Sequence, residues 1–210
     1  MHDSLNPLTG LLPMAGMWLN IVFGGVGVGL INIFLYVITA VFLSGMMVGR
    51  TPEYLTRKVE TKEMKLALIA MLVHPLFILG GTAVFAVTPW GLESLNNPGS
   101  HGLSEIIYEF SSAAANNGSG FEGLNDNTLP WNLATGVIML LGRFIPIIAP
   151  LAIVGSLSAK RTTPESAGTF RIDSLLFGVV LLGNILIVGA LLFLPLAMLG
   201  PIAEQLSAVG

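Results

Sequence analysis

Two short glycine-rich segments have the composition of a cation-binding loop. They occupy residues 24–29 and 116–120, and each follows an apolar segment too short to cross a bilayer. Glycine adopts the backbone angles that let successive carbonyls point in one direction, and a ring of carbonyl oxygens can replace the hydration shell of a bare cation. As helices, the short apolar segments would direct their negative C-terminal ends at the same place. The pattern indicates an ion selectivity filter, whose candidate backbone ligands are Gly24, Gly25, Val26, Gly27, Asn116, Asn117, Gly118 and Ser119.

Nucleotide binding and close helix packing are the other uses of such glycine-rich segments. The run from Gly25 to Leu30 lacks the last glycine of G-x-G-x-x-G, and neither a strand nor an acidic ribose partner accompanies it. The sequence contains no G-K-[ST], which excludes a P-loop. Close packing of helices through small residues is the alternative that the sequence leaves open.

The elements that must position these loops are indicated by the scarcity of charge. Of 210 residues, nine are Lys or Arg and twelve are Asp or Glu, so 10% are charged, against about 25% in soluble domains. The mean hydropathy is +0.81. This composition excludes a soluble α/β enzyme and a disordered tail, and the net charge of −3 excludes a basic nucleic-acid-binding protein. The sequence has no cysteine for disulfides or Cys-based metal sites. We therefore predict an all-α polytopic membrane protein.

Long charge-poor segments predict four membrane-spanning helices, because a helix needs roughly 20 apolar residues to cross the hydrocarbon. The predicted spans are 30–49, 66–88, 130–157 and 175–199. The shorter apolar segments, about 11–22 and 104–115, are interpreted as re-entrant pore helices that enter the bilayer and stop at the glycine loops.

Basic residues are concentrated in two loops. Eight of the nine Lys and Arg residues lie in 50–65 and 159–174, which an even number of spans separates. By the positive-inside rule, both loops are expected to be cytoplasmic. The segments 89–129 and 200–210 contain no Lys or Arg and are expected to face outside.

Arg143 is the remaining basic residue, and it interrupts the span 130–157. Ionisable side chains inside a membrane are rare and are functional by default. The alternative is an arginine that extends from a helix end to water. We favour a functional role and treat Arg143 as a pore candidate.

The sequence repeats itself at an offset of 93 residues. This offset pairs Gly25 with Gly118, and the Gly-Arg sequence at 49–50 with that at 142–143. The surrounding order of short helix, glycine loop, apolar span and Gly-Arg also agrees. The predicted unit is a span, a re-entrant helix, a glycine loop and a second span, with one complete copy in 66–158 and a truncated copy in 1–65.

Several longer runs resemble one protein family. They are FGGVGVGL, GRTPEYL, NPGSHGLSEIIYEFSSAAANNGSGFEGL, GRF and GPIAEQL. Together they resemble the C-terminal portion of the potassium-binding A subunit of the bacterial Kdp potassium-transporting ATPase. The resemblance implies channel-like repeats of the superfamily of K⁺ transporters. Residues 1–65 would be a truncated third pore repeat, 66–158 the fourth repeat, 159–174 a cytoplasmic loop and 175–199 a terminal transmembrane helix.

The resemblance also implies a function. The chain would bind and translocate dehydrated K⁺ at the filter residues and would carry no catalytic residue of its own. ATP would be used by a separate P-type B subunit, and the other partners would be a C subunit, a small F subunit and the lipid bilayer, with no nucleic acid. The implied location is the bacterial inner (plasma) membrane.

The segment after the first long span is a candidate gate. Gly49 and Arg50 are the gate candidates, because the resemblance places a broken helix here. Thr51 and Pro52 predict the start of a new helix, since threonine caps helices and proline suits their first turn.

The basic residues that follow are candidates for docking to the ATPase subunit. They are Arg57, Lys58 and Lys62. Ordinary positive-inside topology explains the same charges, and the sequence leaves both interpretations open.

Two other functions are kept as alternatives. An autonomous Trk- or Ktr-type K⁺ transporter shares the four-repeat fold, but GRTPEYL and the extra terminal span argue against it. A non-transporting membrane scaffold fragment would use the glycines only for packing. Because the first two repeats are absent, we also expect a fragment or the product of a split or mis-started gene.

Overall fold

A computed structural model describes residues 6–19, 28–121, 123–162, 164 and 172–209. The described residues are mostly helical. The first part of the chain forms α1 Pro7–Trp18, α2 Val28–Val48, the strands β1 Glu53–Tyr54 and β2 Arg57–Lys58, α3 Thr61–Val87, α4 Pro89–Leu92, α5 Gly99–Ala115 and α6 Leu129–Ser158. The C-terminal part forms α7 Leu175–Ile185, a π-helical turn Leu186–Ala190, a 3-10 turn Leu191–Phe193, α8 Leu194–Ala197, a second π-helical turn Met198–Ile202 and α9 Ala203–Val209.

Four of these helical segments are long and apolar enough to cross a membrane. Within the described residues they are Gly29–Val48, Thr61–Val87, Leu129–Ser158 and Leu175–Ala208. The predicted fold class, an all-α polytopic membrane protein, is confirmed.

The observed helices extend beyond the predicted spans at polar ends of both kinds, and the longest extension carries the segment predicted as 175–199 on to Ala208. Helix α3 begins at Thr61, inside the predicted loop 50–65, and α5 begins at Gly99 rather than at 104. Helix α1 occupies Pro7–Trp18, whereas the prediction was about 11–22. Hydropathy detects only the apolar part of a helix, so polar first turns such as that of α3 are missed. Residues 20–27, which include the end of the predicted first pore helix and most of the first glycine loop, lie outside the described residues.

The prediction of a helix that starts at Pro52 is wrong. The strands β1 and β2 pair in an antiparallel hairpin. The turn residues Leu55 and Thr56 have φ of 49° and 62°, the positive values of the mirror-image turns that suit the twist of a two-residue hairpin. The Pro52 carbonyl accepts the amide N–H of Val59 at 2.9 Å. Its hydrogen bond therefore closes the base of a hairpin instead of the first turn of a helix.

The C-terminal span changes helix type along its length. Ser174 caps its start, because Ser174 Oγ accepts the amide N–H of Phe177 at 3.2 Å. The π-helical and 3-10 turns lie around Pro195 and Pro201. Proline has no amide N–H and clashes with the preceding turn, so the hydrogen-bond register shifts at these positions.

The described residues belong to two compact units. The first contains the described parts of 1–20, 73–144 and 190–210, and the second contains those of 21–72 and 145–189. In the first unit, α5 packs in an apolar core with Trp18, Phe85 and Trp131. In the second unit, Tyr36 and Met71 belong to a separate core. The described glycine loop lies in the first unit, and the β hairpin lies in the second.

Candidate cation site

Helix α5 is enclosed by protein along most of its length. Every residue from Ser104 to Ala114 except Glu109 is buried. Phe110 contacts the rings of Phe85 and Trp131 with centroid distances of 5.1 and 5.2 Å. Helix α5 is therefore an internal element of the first unit, and its assignment as a re-entrant pore helix stays a prediction.

Polar contacts hold the first half of α5. The carboxylate of Glu105 is fully buried and accepts hydrogen bonds from Asn97 Nδ2 at 2.7 Å and from the Asn96 amide at 3.3 Å. His101 Nδ1 lies 2.7 Å from Glu204 Oε1 in α9. Only the contact between His101 and Glu204 joins residues far apart in sequence, and no local pattern predicted any of the three.

The end of α5 is a Schellman motif. Asn116 has φ 61° and ψ 36° in the left-handed region. Its amide donates to the Ala113 carbonyl at 3.1 Å, and the Asn117 amide donates to the Ser112 carbonyl at 3.0 Å. Gly118 follows with φ 73°. The helix therefore stops sharply, and the loop leaves it with two closely spaced residues at positive φ.

The loop has one accessible stretch. Asn117 and Gly118 are exposed, whereas Asn116, Ser119 and Gly120 are half-buried. Within the described part of the chain, no group of three or more His, Cys, Asp or Glu side chains is arranged to hold a metal ion. The binding of a cation by backbone oxygens of 116–120 stays a prediction, and Asn117 and Gly118 are the accessible residues at which it would occur.

Arg143 contacts this loop. Its Nε donates to Asn116 Oδ1 at 3.2 Å, and the Asn116 Nδ2 donates to the Met139 carbonyl of α6 at 3.1 Å. One asparagine side chain thus connects the end of α5 to α6 and to Arg143. The sequence singled out Arg143 as a charge in a span, but not this partner.

Gly142 allows α6 to approach the end of α5. A methyl group on Gly142 would lie 2.7 Å from the Ala114 carbonyl oxygen, far inside van der Waals contact. The Gly142 carbonyl lies 2.9 Å from His74 Nε2 of α3. A glycine at this position therefore brings Arg143 within reach of the loop.

The paired Gly-Arg sequence at 49–50 has a different local structure. Gly49 has φ 67° and follows the last residue of α2. The Arg50 amide donates to the Gly45 carbonyl at 2.8 Å, and the Gly49 amide donates to the Met46 carbonyl at 3.4 Å. This is a second Schellman motif. Gly49 ends a helix, whereas Gly142 lies inside one. The gate role of Gly49 and Arg50 stays a prediction.

Arg57 has an internal role that the sequence did not indicate. Its Nη1 donates to the carbonyls of Leu157 and Ser158, each at 2.9 Å, and to that of Lys160. A guanidinium at this position satisfies the free carbonyls at the C-terminus of α6 and complements its dipole. Lys58 and Lys62 are exposed, so of the three predicted docking residues they are the two that a partner protein could reach most easily.

A buried charge cluster lies beside this cap. Glu63 is fully buried, and its carboxylate lies 2.7 Å from Lys160 Nζ and 2.5 Å from Ser156 Oγ. Lys160 also contacts Glu60 at 2.8 Å. Burial alone would lower the pKa of the Lys160 ammonium, but its contacts with the Glu60 and Glu63 carboxylates outweigh burial and raise it. The cluster ties the start of α3 to the segment that follows α6.

Lys160→Met is expected to lower the free energy of unfolding by about 2–3 kcal/mol, because it leaves the buried Glu63 carboxylate without its cation. Since the folded-state pKa of Lys160 is raised, its stabilising effect is complete below the ordinary pKa of 10.5 and is lost only as the pH rises through the raised value. Thermal unfolding of the detergent-purified protein at pH 7 measures the effect. The exposed Lys65 provides the matched control, and Lys65→Met is expected to change stability by less than about 0.5 kcal/mol. Equal unfolding temperatures for the two variants would contradict the prediction.

Comparison with known proteins identifies the family. The family described as "Potassium-transporting ATPase A subunit" (KdpA) matches residues 1–206. The chain belongs to this family. A curated KdpA relative from Geobacillus kaustophilus (strain HTA426), named potassium-transporting ATPase potassium-binding subunit, is 59% identical over 207 residues. Those residues are 99% of this chain but 37% of the relative, so the chain spans little more than a third of that KdpA protein.

Proposed function

We propose that this chain forms part of the potassium-binding and translocating subunit of an ATP-driven K⁺ uptake complex. The observation that carries the proposal is the loop 116–120, whose exposed residues Asn117 and Gly118 follow a buried, sharply terminated helix. The partial negative charge at the C-terminus of α5 favours a cation there. The name of the Geobacillus relative supports K⁺ as that cation.

In this proposal, K⁺ is the substrate and meets backbone oxygens of Asn116, Asn117, Gly118 and Ser119. Residues 24–27 supply a second strand, an assignment that rests on the sequence repeat. Carbonyl oxygens replace the water that K⁺ loses on entry. Arg143 acts beside the loop, where its charge limits the occupancy of nearby cation sites and its hydrogen bond steadies Asn116.

ATP hydrolysis is assigned to a separate P-type B subunit, with C and F subunits completing the complex in a bacterial cell membrane. The loops 50–65 and 159–174 face the cytoplasm in this arrangement. Lys58 and Lys62 are the exposed candidates for docking to the ATPase subunit. Arg57 supports that surface indirectly through its cap on α6.

A chimera tests the proposal with this chain's own residues. The matched 207-residue segment of the Geobacillus relative is replaced by the corresponding part of this chain, and the protein is expressed with the remaining subunits of that complex in cells that lack other K⁺ uptake. We expect growth at low K⁺ and ATPase activity that K⁺ stimulates and Na⁺ does not. A chimera that assembles normally without K⁺-dependent uptake would contradict the proposal.

A further inference from the structure

Ser112 of α5 makes two hydrogen bonds to the loop 116–120. Its carbonyl oxygen accepts the Asn117 amide at 3.0 Å, and its Oγ accepts the Ser119 amide at 2.8 Å. Ser112 is 1% exposed, so water does not compete well for these bonds. A single residue thus binds two amides of the loop that are two positions apart.

These bonds orient two peptide planes. The described peptide bonds are trans, and in a trans peptide the carbonyl points opposite to the N–H of the same unit. Because the Ser119 N–H points at Ser112, the Gly118 carbonyl of the same peptide points away from α5. The bond from Asn117 directs the Asn116 carbonyl away from α5 in the same manner. Two carbonyls of the candidate filter thereby face the side opposite the helix.

Little else restrains the Gly118 carbonyl. A methyl group on Gly118 would meet nothing within 4 Å, so no neighbour packs against the side of this residue where a side chain would lie. Ser119 Oγ lies 3.1 Å from the Tyr108 hydroxyl and 3.4 Å from Ser112 Oγ. Those contacts hold the side chain of Ser119 rather than its amide. Among the described residues, the Ser112 hydroxyl is the group that binds this amide.

We infer that Ser112 is a positioning residue for K⁺ selection, because its hydroxyl holds the Gly118 carbonyl toward the ion. The inference rests on the proposed function and deepens it. The Asn116 carbonyl is oriented through the Ser112 backbone and is insensitive to the side chain. The Gly118 carbonyl depends on the side chain. Substitution of Ser112 therefore removes one oriented carbonyl and leaves the other in place.

The test measures ion uptake and ATPase activity of the chimeric complex over a series of K⁺ concentrations and over a series of Na⁺ concentrations. We expect Ser112→Ala to raise the half-saturating K⁺ concentration by about tenfold and to lower the preference for K⁺ over Na⁺ by a similar factor. Tenfold corresponds to about 1.4 kcal/mol, within the range for a buried amide that loses its acceptor. Ser112→Thr keeps the hydroxyl and is expected to restore most of the preference.

A control variant at Ser111 separates positioning from general support of α5. Ser111 is the fully buried neighbour of Ser112, and its Oγ accepts Trp18 Nε1 at 2.9 Å. Ser111→Ala is expected to lower thermal stability without changing the K⁺/Na⁺ ratio.

The outcomes distinguish the inference from the proposed function. If the parent chimera takes up K⁺ selectively and Ser112→Ala selects equally well, the inference is overturned and the proposed function stands. An equal loss in Ser111→Ala would also overturn it. Should Ser112→Ala fail to assemble, Ser112→Cys retains the side-chain volume with a weak acceptor, and unchanged selectivity in that variant would overturn the inference. A parent chimera without K⁺-dependent uptake would overturn both.

Discussion

Gly142→Ala is expected to lower the free energy of unfolding by about 1–3 kcal/mol, the usual range for overpacking in a core, and to abolish most K⁺-dependent uptake. The added methyl would lie 2.7 Å from the Ala114 carbonyl oxygen and 3.3 Å from Ala114 Cα. Both neighbours are backbone, so no flexible side chain can move aside. Helix α6 must then shift away from α5 at the position where Arg143 reaches Asn116. Thermal unfolding and K⁺ uptake of the chimeric complex measure the two effects.

Gly136 in the same helix provides the matched control. A methyl group there would meet nothing within 4 Å. Since glycine inside a helix is less favourable than alanine by roughly 0.5–1 kcal/mol, Gly136→Ala is expected to leave the protein equally stable or slightly more stable and to leave uptake unchanged. Similar unfolding temperatures for Gly142→Ala and Gly136→Ala would show that close helix contact at 142 is unimportant.

Arg143→Ala is expected to lower K⁺ uptake by roughly tenfold, because it removes both a charge beside the candidate filter and the donor to Asn116. Tenfold corresponds to about 1.4 kcal/mol, close to the range for hydrogen bonds that involve a charged group. Arg143→Lys keeps the charge without the planar donor geometry of the guanidinium, so we expect an intermediate rate. K⁺ uptake and K⁺-stimulated ATPase activity are the measurements.

A double-mutant cycle with Asn116 tests the contact itself. If the hydrogen bond of 3.2 Å carries the effect, Arg143→Ala and Asn116→Ala are expected to be non-additive, as neighbours in contact usually are. Arg161 is exposed and follows the same helix, and Arg161→Ala is expected to leave uptake unchanged. Unchanged uptake and ATPase activity in Arg143→Ala would eliminate a functional role for this residue.

The two glycines that the sequence repeat pairs, Gly49 and Gly142, differ in local structure. The offset of 93 residues treats Gly49 and Gly142 as equivalent. In the structure, Gly49 has φ 67° and ends α2, whereas Gly142 lies inside α6 against Ala114. The two glycines share a position in the repeat but serve different physical needs. Gly49 adopts a left-handed backbone conformation, whereas Gly142 leaves free the space beside Ala114 that a side chain would occupy.

The spans and the membrane class follow from the sequence because they depend on short-range composition. A run of roughly 20 apolar residues predicts a spanning helix whatever its neighbours are. The short helix before 116–120 and the break at Asn116 are equally local, since they depend on helix length and on residues that tolerate positive φ. Arg143 was found in the same way, as one charge in an apolar run.

The hairpin shows where local rules failed. Thr51 and Pro52 are good residues for a helix start, but the Val59 amide binds the Pro52 carbonyl and closes a hairpin. The sequence predicts Arg57 as a docking residue or a mark of cytoplasmic topology and does not predict its contacts with the carbonyls of Leu157, Ser158 and Lys160. The carbonyls that bind Arg57 lie 100 or more residues away in sequence, whereas Pro52 pairs with nearby Val59 through a hairpin that rules for helix starts do not consider.

The sequence by itself therefore determined the membrane class, the helical segments, the glycine loop at 116–120 and the single charge at Arg143, because each is a property of neighbouring residues. Only the tertiary structure decided what these features contact: Asn116 for Arg143, Ala114 for Gly142, and the Ser119 amide for Ser112. Hydrogen bonds act over about 3 Å, and the direction of a carbonyl depends on what binds the amide of the same peptide. Those partners are chosen by the packing of helices, which no local pattern encodes.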